Sequence, residues 1–312
     1  MGYATTMKFT RGNCSILLLG HGGMLWQAWA TMLEHANIPY FSPSRFEFDF
    51  VRPESIRATV TQGYSLVINA AGFTNVDLCE SLEGRAAIVN GSGVATLAQE
   101  CKKCGATLIH YSSDHVFSGE TDKPYSTDAI REPVNAYGRT KALGDDAVER
   151  SGCDYLLIRT SWLYAPWGQN FVTTIAQLAS IQHSITVVDD QFGRPTCASH
   201  LASESWRLFK GGARGSYHLT DGGHCSRYEW ARTIVELTNS ECVVEPCATK
   251  DFPRPAKRPR FSVLDLSKTE DLLGAIPTWQ ASLPRTCLSI AGASQDVETE
   301  SFDPVCLHRT DF

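Results

Sequence analysis

Ser15-Ile16-Leu17-Leu18-Leu19-Gly20-His21-Gly22-Gly23-Met24-Leu25-Trp26 is the stretch on which the fold turns. It reads as a short apolar strand, a glycine-rich turn and the start of a helix that runs to about His35. Glycine lets the backbone turn tightly and approach a ligand closely. The helix start offers free N–H groups and a partial positive charge, a natural seat for a phosphate. The spacing Gly20-x-x-Gly23 after a first strand fits a dinucleotide-binding turn. Trp26 stands at the third position, where a glycine would allow close helix–strand packing. Taken alone, the turn is a weak sign, since a tight turn without a ligand has the same signature.

Outward from this turn the chain alternates. Strand-length apolar runs at 39–41, 65–69, 107–111 and 155–159 are separated by helical stretches, among them 90–104 and 137–150. Strands alternating with helices predict an α/β fold, a doubly wound parallel sheet with helices on both faces. Apolar runs without strict alternation fit strands buried on both sides. After about Ala165 the pattern changes to a helix at 171–182, a strand at 185–188, a helix at 228–238 and a proline-rich basic loop at 246–259. The predicted division is therefore 1–165 for a nucleotide-binding domain, 166–291 for a smaller substrate-binding lobe and 292–312 for a flexible tail.

The 312 residues are 43% hydrophobic and 20% charged, a composition that excludes collagen-like, coiled-coil and wholly disordered chains. The 28 basic and 34 acidic residues leave a formal charge of −6, which gives no electrostatic footprint for nucleic acid. No apolar run approaches the ~20 residues that cross a bilayer. The N-terminal run ends in glycines rather than at a small-residue cleavage site. The expectation is a cytoplasmic protein with neither nucleic acid nor membrane as a partner. Met1-Gly2 with Thr6 fits a loose myristoylation pattern that is frequent by chance. Of the eleven cysteines, Cys101 and Cys104 form a CxxC with no second pair at zinc spacing, so they read as reduced thiols. No HExxH or similar pair is present, and no catalytic metal is predicted.

Chemistry enters with Tyr137-Gly-Arg-Thr-Lys141. At i and i+4 on a helix, the phenol and the ammonium face the same way. A nearby ammonium is expected to lower the phenol's pKa and fit it for proton exchange with a carbonyl or alcohol oxygen. Ser112-Ser113-Asp114 ends the preceding strand, where a parallel sheet places its ligands. A Ser113 hydroxyl there can hold the substrate oxygen beside Tyr137. At the end of the second strand, Ser42-Pro43-Ser44-Arg45 offers a basic group and two hydroxyls, which favours the 2′-phosphate of NADPH, with NADH as the second choice. Asp49 lies just beyond, within reach of the adenine. Asp190 and Gln191 read as structural, shaping the entry to the second lobe. His110 and His115 read as packed rings.

Longer blocks extend these signals: Val67-Ile-Asn-Ala-Ala-Gly-Phe-Thr-Asn-Val-Asp77, His110-Tyr-Ser-Ser-Asp-His-Val-Phe117, Asn135-Ala-Tyr-Gly-Arg-Thr-Lys141, Arg159-Thr-Ser-Trp-Leu-Tyr164, Asp190-Gln-Phe-Gly-Arg-Pro-Thr196, and Arg258-Pro259 with Leu264-Asp265. Together they resemble the extended short-chain dehydrogenase/reductases, and within them the dTDP-4-dehydrorhamnose reductase family, over about residues 15–290. The resemblance implies a Rossmann-like domain and NAD(P)H-dependent reduction of the C4 keto group of a nucleotide-linked 4-keto-6-deoxy sugar. By position it implies that Gly20, Gly23, Met24 and Leu25 wrap the cofactor pyrophosphate and that Asp49 and Phe50 border the adenine. Ala71, Gly72 and Thr74 would follow the cofactor, with Tyr111 near its nicotinamide half. Tyr137 would be the proton donor, Lys141 its partner and a contact of the nicotinamide ribose, and Ser113 the holder of the substrate oxygen. Asp114 and Trp162 would touch the sugar, and Arg258 the diphosphate. Ser113 stands where the family usually has Thr, and His115 where it has Tyr. Members often dimerise, sometimes through a magnesium ion, so a homodimer is a further expectation. Two other readings of the same fold stay open: a non-catalytic NADP-binding subunit, of which the regulatory subunit of methionine adenosyltransferase is an example, and an epimerase that retains its NAD.

Overall fold

The computed structural model describes residues 14–61 and 63–295. The lipidation pattern at the N-terminus and the tail beyond 295 lie outside the described residues. Six strands, β1 (Ile16–Leu19), β2 (Tyr40–Phe41), β3 (Leu66–Asn69), β4 (Thr107–Ser113), β5 (Tyr155–Thr160) and β6 (Gly215–His218), form one sheet in the order β6-β5-β4-β3-β1-β2. Every pairing is parallel. All four residues of β1 and of β3 are buried, which explains their unbroken apolar runs. From β1 the order runs to β2 on one side and to β3 on the other. The crevice between β1 and β3 is thus the switch point where such sheets bind ligands.

Helices cover both faces. On one, α1 (Met24–His35) packs Trp29 and Leu33 against Leu18, Ile68 and Ile158. On the other, α2 (Gly93–Cys104) and α3 (Ala136–Ser151) pack Leu97, Ala98 and Val148 against Leu17, Val67 and Leu108. The chain then builds a second lobe from α4 (Phe171–Ile181), a parallel strand pair at Ser184–Val188 and Val243–Cys247, α6 (Arg227–Leu237) and α7 (Trp279–Gln295). Its core joins Tyr164, Val172, Ile175, Trp230, Ile234 and Leu283.

Three differences from the sequence reading stand out. Between the lobe's elements the chain returns to the first layer: α5 (Ala198–Lys210) lies in the α1 core and β6 extends the main sheet beside β5. A single cut at 165 therefore does not separate the two halves. The polar β6 sequence Gly-Ser-Tyr-His carries no apolar run to announce it. The basic loop predicted at 246–259 begins inside a strand, with Pro246 in register with Val187. Proline is tolerated there because that strand lies at an edge. Finally, 292–295 continue α7 rather than open a tail.

Candidate active site

Gly20 has φ +104°, and a Cβ on it would sit 2.7 Å from the Ala70 carbonyl carbon and 2.9 Å from the Ala71 nitrogen. Only glycine allows the ends of β1 and β3 to close to this distance. Gly23 is the N-cap of α1, its own N–H donating to the Gly20 carbonyl at 2.9 Å, and no side chain caps the helix. The first N–H groups of α1 therefore point into the crevice without a side-chain partner. Trp26 does not wedge helix and strand apart. Its indole N–H donates to Ser42 Oγ at 2.8 Å, and its ring lies 4.4 Å from that of His21. It ties the glycine turn to the loop after β2.

In that loop Arg45 is exposed in a turn. Asp49 is half-buried and accepts the Val51 N–H at 3.1 Å. The Phe50 ring is 5% exposed and packs 5.0 Å from Phe48 in the core. It is therefore not available as a border for the adenine. Tyr111 is a similar correction. Its phenol lies 7% exposed in the α1 layer and accepts the Trp29 N–H at 2.8 Å. What Tyr111 gives the site is its carbonyl oxygen, which accepts from Lys141 Nζ at 2.6 Å.

Ala71, Gly72 and Thr74 line the strap after β3, half-buried or exposed. The strap is fixed by Asn90, buried in a single π-helical turn at Ile88–Ser92. Asn90 Oδ1 accepts the Phe73 N–H at 2.8 Å, and its amide donates to the Phe73 carbonyl at 3.0 Å and to Thr140 Oγ1 at 3.1 Å. Such π turns are frequent at functional sites. Asn90 joins the strap directly to the helix that carries Tyr137 and Lys141.

That helix, α3, begins against the end of β4. Asn135 caps it, accepting the Gly138 N–H at 2.8 Å, while its amide reaches His115 Nδ1 at 2.9 Å and the Lys257 carbonyl at 2.7 Å. A Cβ on Gly138 would lie 2.0 Å from the His115 carbonyl oxygen. The contact brings Tyr137 to Ser113 and sets its ring edge-on to His115 at 5.4 Å. Ser113 Oγ donates to Asp114 Oδ1 at 2.9 Å, and the Ser113 hydroxyl is also hydrogen-bonded with the Tyr137 phenol. Burial pushes the Tyr137 phenol above its ordinary pKa, and the Ser113 hydrogen bond only partly draws it back. The expected lowering by Lys141 is not found; that ammonium donates to the Tyr111 carbonyl. Burial also lowers Lys141, to about 8, against the pull of Asp145 one turn on. Burial likewise pushes His115 below its usual value, so its ring is neutral at pH 7.

The second lobe supplies the facing wall. Trp162 has φ +46°, a strained conformation for a bulky residue and one that clusters at functional sites. Its ring stacks on Trp230 at 5.5 Å and lies 3.7 Å beneath the Arg227 guanidinium. Burial drops Arg227 to about 9, which leaves it charged at neutral pH. Alongside runs a cavity of about 540 Å³, lined in part by Phe171, Val187, Arg227, Arg254, Lys257 and Arg258. Asp77 clasps the basic loop. It takes Arg254 at 2.7 Å, Arg258 at 2.9 Å and the Ala256 N–H at 3.0 Å. Burial alone would raise its carboxyl, but these hydrogen bonds together hold it below the usual range. Asp190 accepts the Thr249 N–H at 3.0 Å, and Gln191 donates to Thr249 Oγ1 at 3.0 Å, which holds the turn before that loop.

A family model described as the RmlD substrate binding domain matches residues 14–291. A dTDP-4-dehydrorhamnose reductase from Mycolicibacterium smegmatis is 34% identical over 286 residues, covering 90% of this chain and 87% of its own. The chain belongs to the dTDP-4-dehydrorhamnose reductase family. A dTDP-4-keto-6-deoxy-D-glucose reductase from Streptomyces niveus is also 34% identical, over 80% of this chain and 87% of its own. The structure of a dTDP-4-dehydrorhamnose reductase from Bacillus anthracis in complex with NADP superposes with a TM-score of 0.84 at 29% identity, over 88% of this chain and 98% of that one.

Within this reductase family frame, sequence reasoning placed Ser113, Asp114, Tyr137, Lys141 and Trp162 around one cleft. It missed Asn90, Asn135, Arg227 and the Asp77 clasp. Asn135 stood in view, since an Asn just before a helix is a strong capping signal. Arg227 stands inside the Ser-x-x-Glu box at Ser226–Glu229 that marks a helix start. Asp77 carries no local sign of a partner. Among the described residues no His, Cys, Asp and Glu cluster is arranged to hold a metal, and no helix is long and apolar enough to cross a membrane.

Proposed function

We propose that this protein reduces the C4 keto group of dTDP-4-dehydrorhamnose with NADPH, giving dTDP-L-rhamnose. The observation that carries this reading is the joining of Ser113, Tyr137 and Lys141 at the end of β4, beside a backbone cradle that only glycine at position 20 permits. The cradle suits a dinucleotide pyrophosphate, with Gly20, Gly23, Met24 and Leu25 around it, Asp49 toward the adenine and Ala71, Gly72 and Thr74 along the strap. Arg45, with Ser42 and Ser44, supports NADPH over NADH. The reduced nicotinamide supplies a hydride.

The chain's own residues do the rest. The Ser113 hydroxyl holds the substrate carbonyl oxygen. Tyr137, kept protonated by its burial, donates its proton to that oxygen as negative charge develops there. Lys141, whose ammonium donates to the Tyr111 carbonyl, adds its positive charge to the site and meets the nicotinamide ribose. Asp114 and Trp162 meet the sugar, and the cationic loop of Arg254, Lys257 and Arg258 suits a nucleotide diphosphate. A homodimer goes with this reading, since Leu78, Leu82, Ile88 and Leu143 expose apolar side chains on neighbouring helices.

The test is product identification by NMR after incubation with dTDP-4-dehydro-6-deoxy-L-mannose and either NADPH or NADH. Consumption of NADPH with formation of dTDP-L-rhamnose is expected. Tight NADP binding with no turnover of any keto sugar would instead favour a non-catalytic subunit. The Streptomyces relative motivates including the D-glucose-configured keto sugar, whose preferential turnover would move the substrate but leave the chemistry.

A further inference from the structure

Arg227 opens α6, one residue after its Ser226 cap. Its guanidinium is half-buried, and among the described residues it makes no hydrogen bond or ion pair. Its ring contacts are all aromatic: Trp162 at 3.7 Å, Phe171 at 5.0 Å and Trp230 at 5.5 Å. A guanidinium has five donors and no acceptor, so a partly desolvated one without an acceptor is a costly arrangement unless a ligand completes it. Asp114 stands at the same end of the sheet: it follows Ser113, which pairs with Thr160 two residues before the Trp162 that carries the guanidinium, and the two charges form no ion pair. Asp114 is 2% exposed. One of its oxygens takes the Ser113 hydroxyl, and Oδ2 is buried without a partner.

A group that only donates and a group that only accepts thus lie at the same end of the sheet without meeting. A hydroxylated ring satisfies both, since a hydroxyl donates to a carboxylate and accepts from a guanidinium. We propose that Arg227 is a specificity-determining residue that, together with Asp114, reads the ring hydroxyls of the substrate's sugar. The inference rests on the keto-sugar reading of the site. A phosphate oxygen is the less fitting acceptor, because the Asp114 charge that attracts Arg227 repels it. The cations of the basic loop already serve the diphosphate.

The experiment compares wild type, Arg227→Met and Arg227→Lys. Steady-state kinetics use the dTDP-4-keto-6-deoxy sugar and its 2-deoxy and 3-deoxy analogues, and calorimetry measures dTDP and NADPH binding. Arg227→Met is expected to raise KM for the parent sugar by ~10- to 100-fold, the range of a hydrogen bond to a charged group, with dTDP and NADPH affinities unchanged. Wild type should discriminate against one deoxy analogue, and the Met variant should not. Lysine keeps the charge without the planar fork, so Arg227→Lys should fall between the two. It also gives a readout if the Met variant folds poorly. An equal deoxy penalty in wild type and Arg227→Met would overturn the proposal. So would a dTDP affinity that falls with the sugar's, which would assign the arginine to phosphate. Wild type that turns over no keto sugar overturns the underlying reading as well, whereas normal wild-type turnover with an unmoved variant KM removes Arg227 alone.

Discussion

On the cofactor side of the cleft, backbone meets backbone: Gly20 lies on Ala70 and Ala71, Gly23 caps α1, and Gly138 lies on the His115 carbonyl. On the substrate side, side chains reach across the chain. Asp77 grips Arg254 and Arg258 at sequence separations of 177 and 181 residues, and Asn135 holds the Lys257 carbonyl across 122. The first wall is rigid because a missing Cβ defines it, and it suits a ligand whose shape does not vary. The second is set by polar pairs whose geometry changes with single substitutions, which suits a surface that distinguishes one sugar from another.

The most severe break in the comparison is Tyr137→Phe, at the seam between the walls. The ring stays against His115, while the proton and the Ser113 hydrogen bond are lost. Turnover should fall by ~10²- to 10⁴-fold with NADPH affinity unchanged in a fluorescence titration. Next comes Gly138→Ala, which tests the backbone wall. Its Cβ cannot fit 2.0 Å from the His115 oxygen, so α3 must shift. A stability loss of about 1–3 kcal/mol by urea denaturation is expected, with a loss of turnover because Tyr137 moves with the helix.

Asp77→Asn tests the side-chain wall alone. The shape stays and the charge goes, so two arginines lose their shared anchor. KM for the nucleotide sugar should rise by ~10-fold or more, while the Kd for NADPH holds. Equal losses on both ligands would show that the walls are not separable. The mildest effect is that of pH. With its value lowered to about 8 by burial, Lys141 is charged below that pH and neutral above it. The quantity kcat/KM should therefore decline as pH rises through about 8. Lys141→Arg, whose guanidinium does not titrate there, should lose that limb.

The same division explains what was legible from sequence. The strand–glycine–helix unit, the Tyr137–Lys141 pair and the Ser113 strand end are each local, so spacing alone reveals them. Phe50 and Tyr111 were assigned to the ligand because of where they stand along the chain. The structure turns both rings into the core: Tyr111 because neighbours on a strand face opposite ways, and Phe50 because the turn it stands in packs it against Phe48. β6 is polar and short, and only its pairing with β5 makes it a strand. Asp77 and Arg227 gain meaning from partners far away in sequence, and no periodicity points to such partners.

The Asn135 amide has a consequence for how substrate size translates into rate. One side chain holds the first turn of the helix bearing the phenol, the ring of His115 and the loop that the nucleotide end of the substrate would rest on. On the proposed reading, grip on a distant thymidine diphosphate would be felt at Tyr137, so part of that grip would be converted into alignment rather than residence time. A bare keto sugar should be processed slowly even at saturation, because nothing at the far end would press the helix start into place.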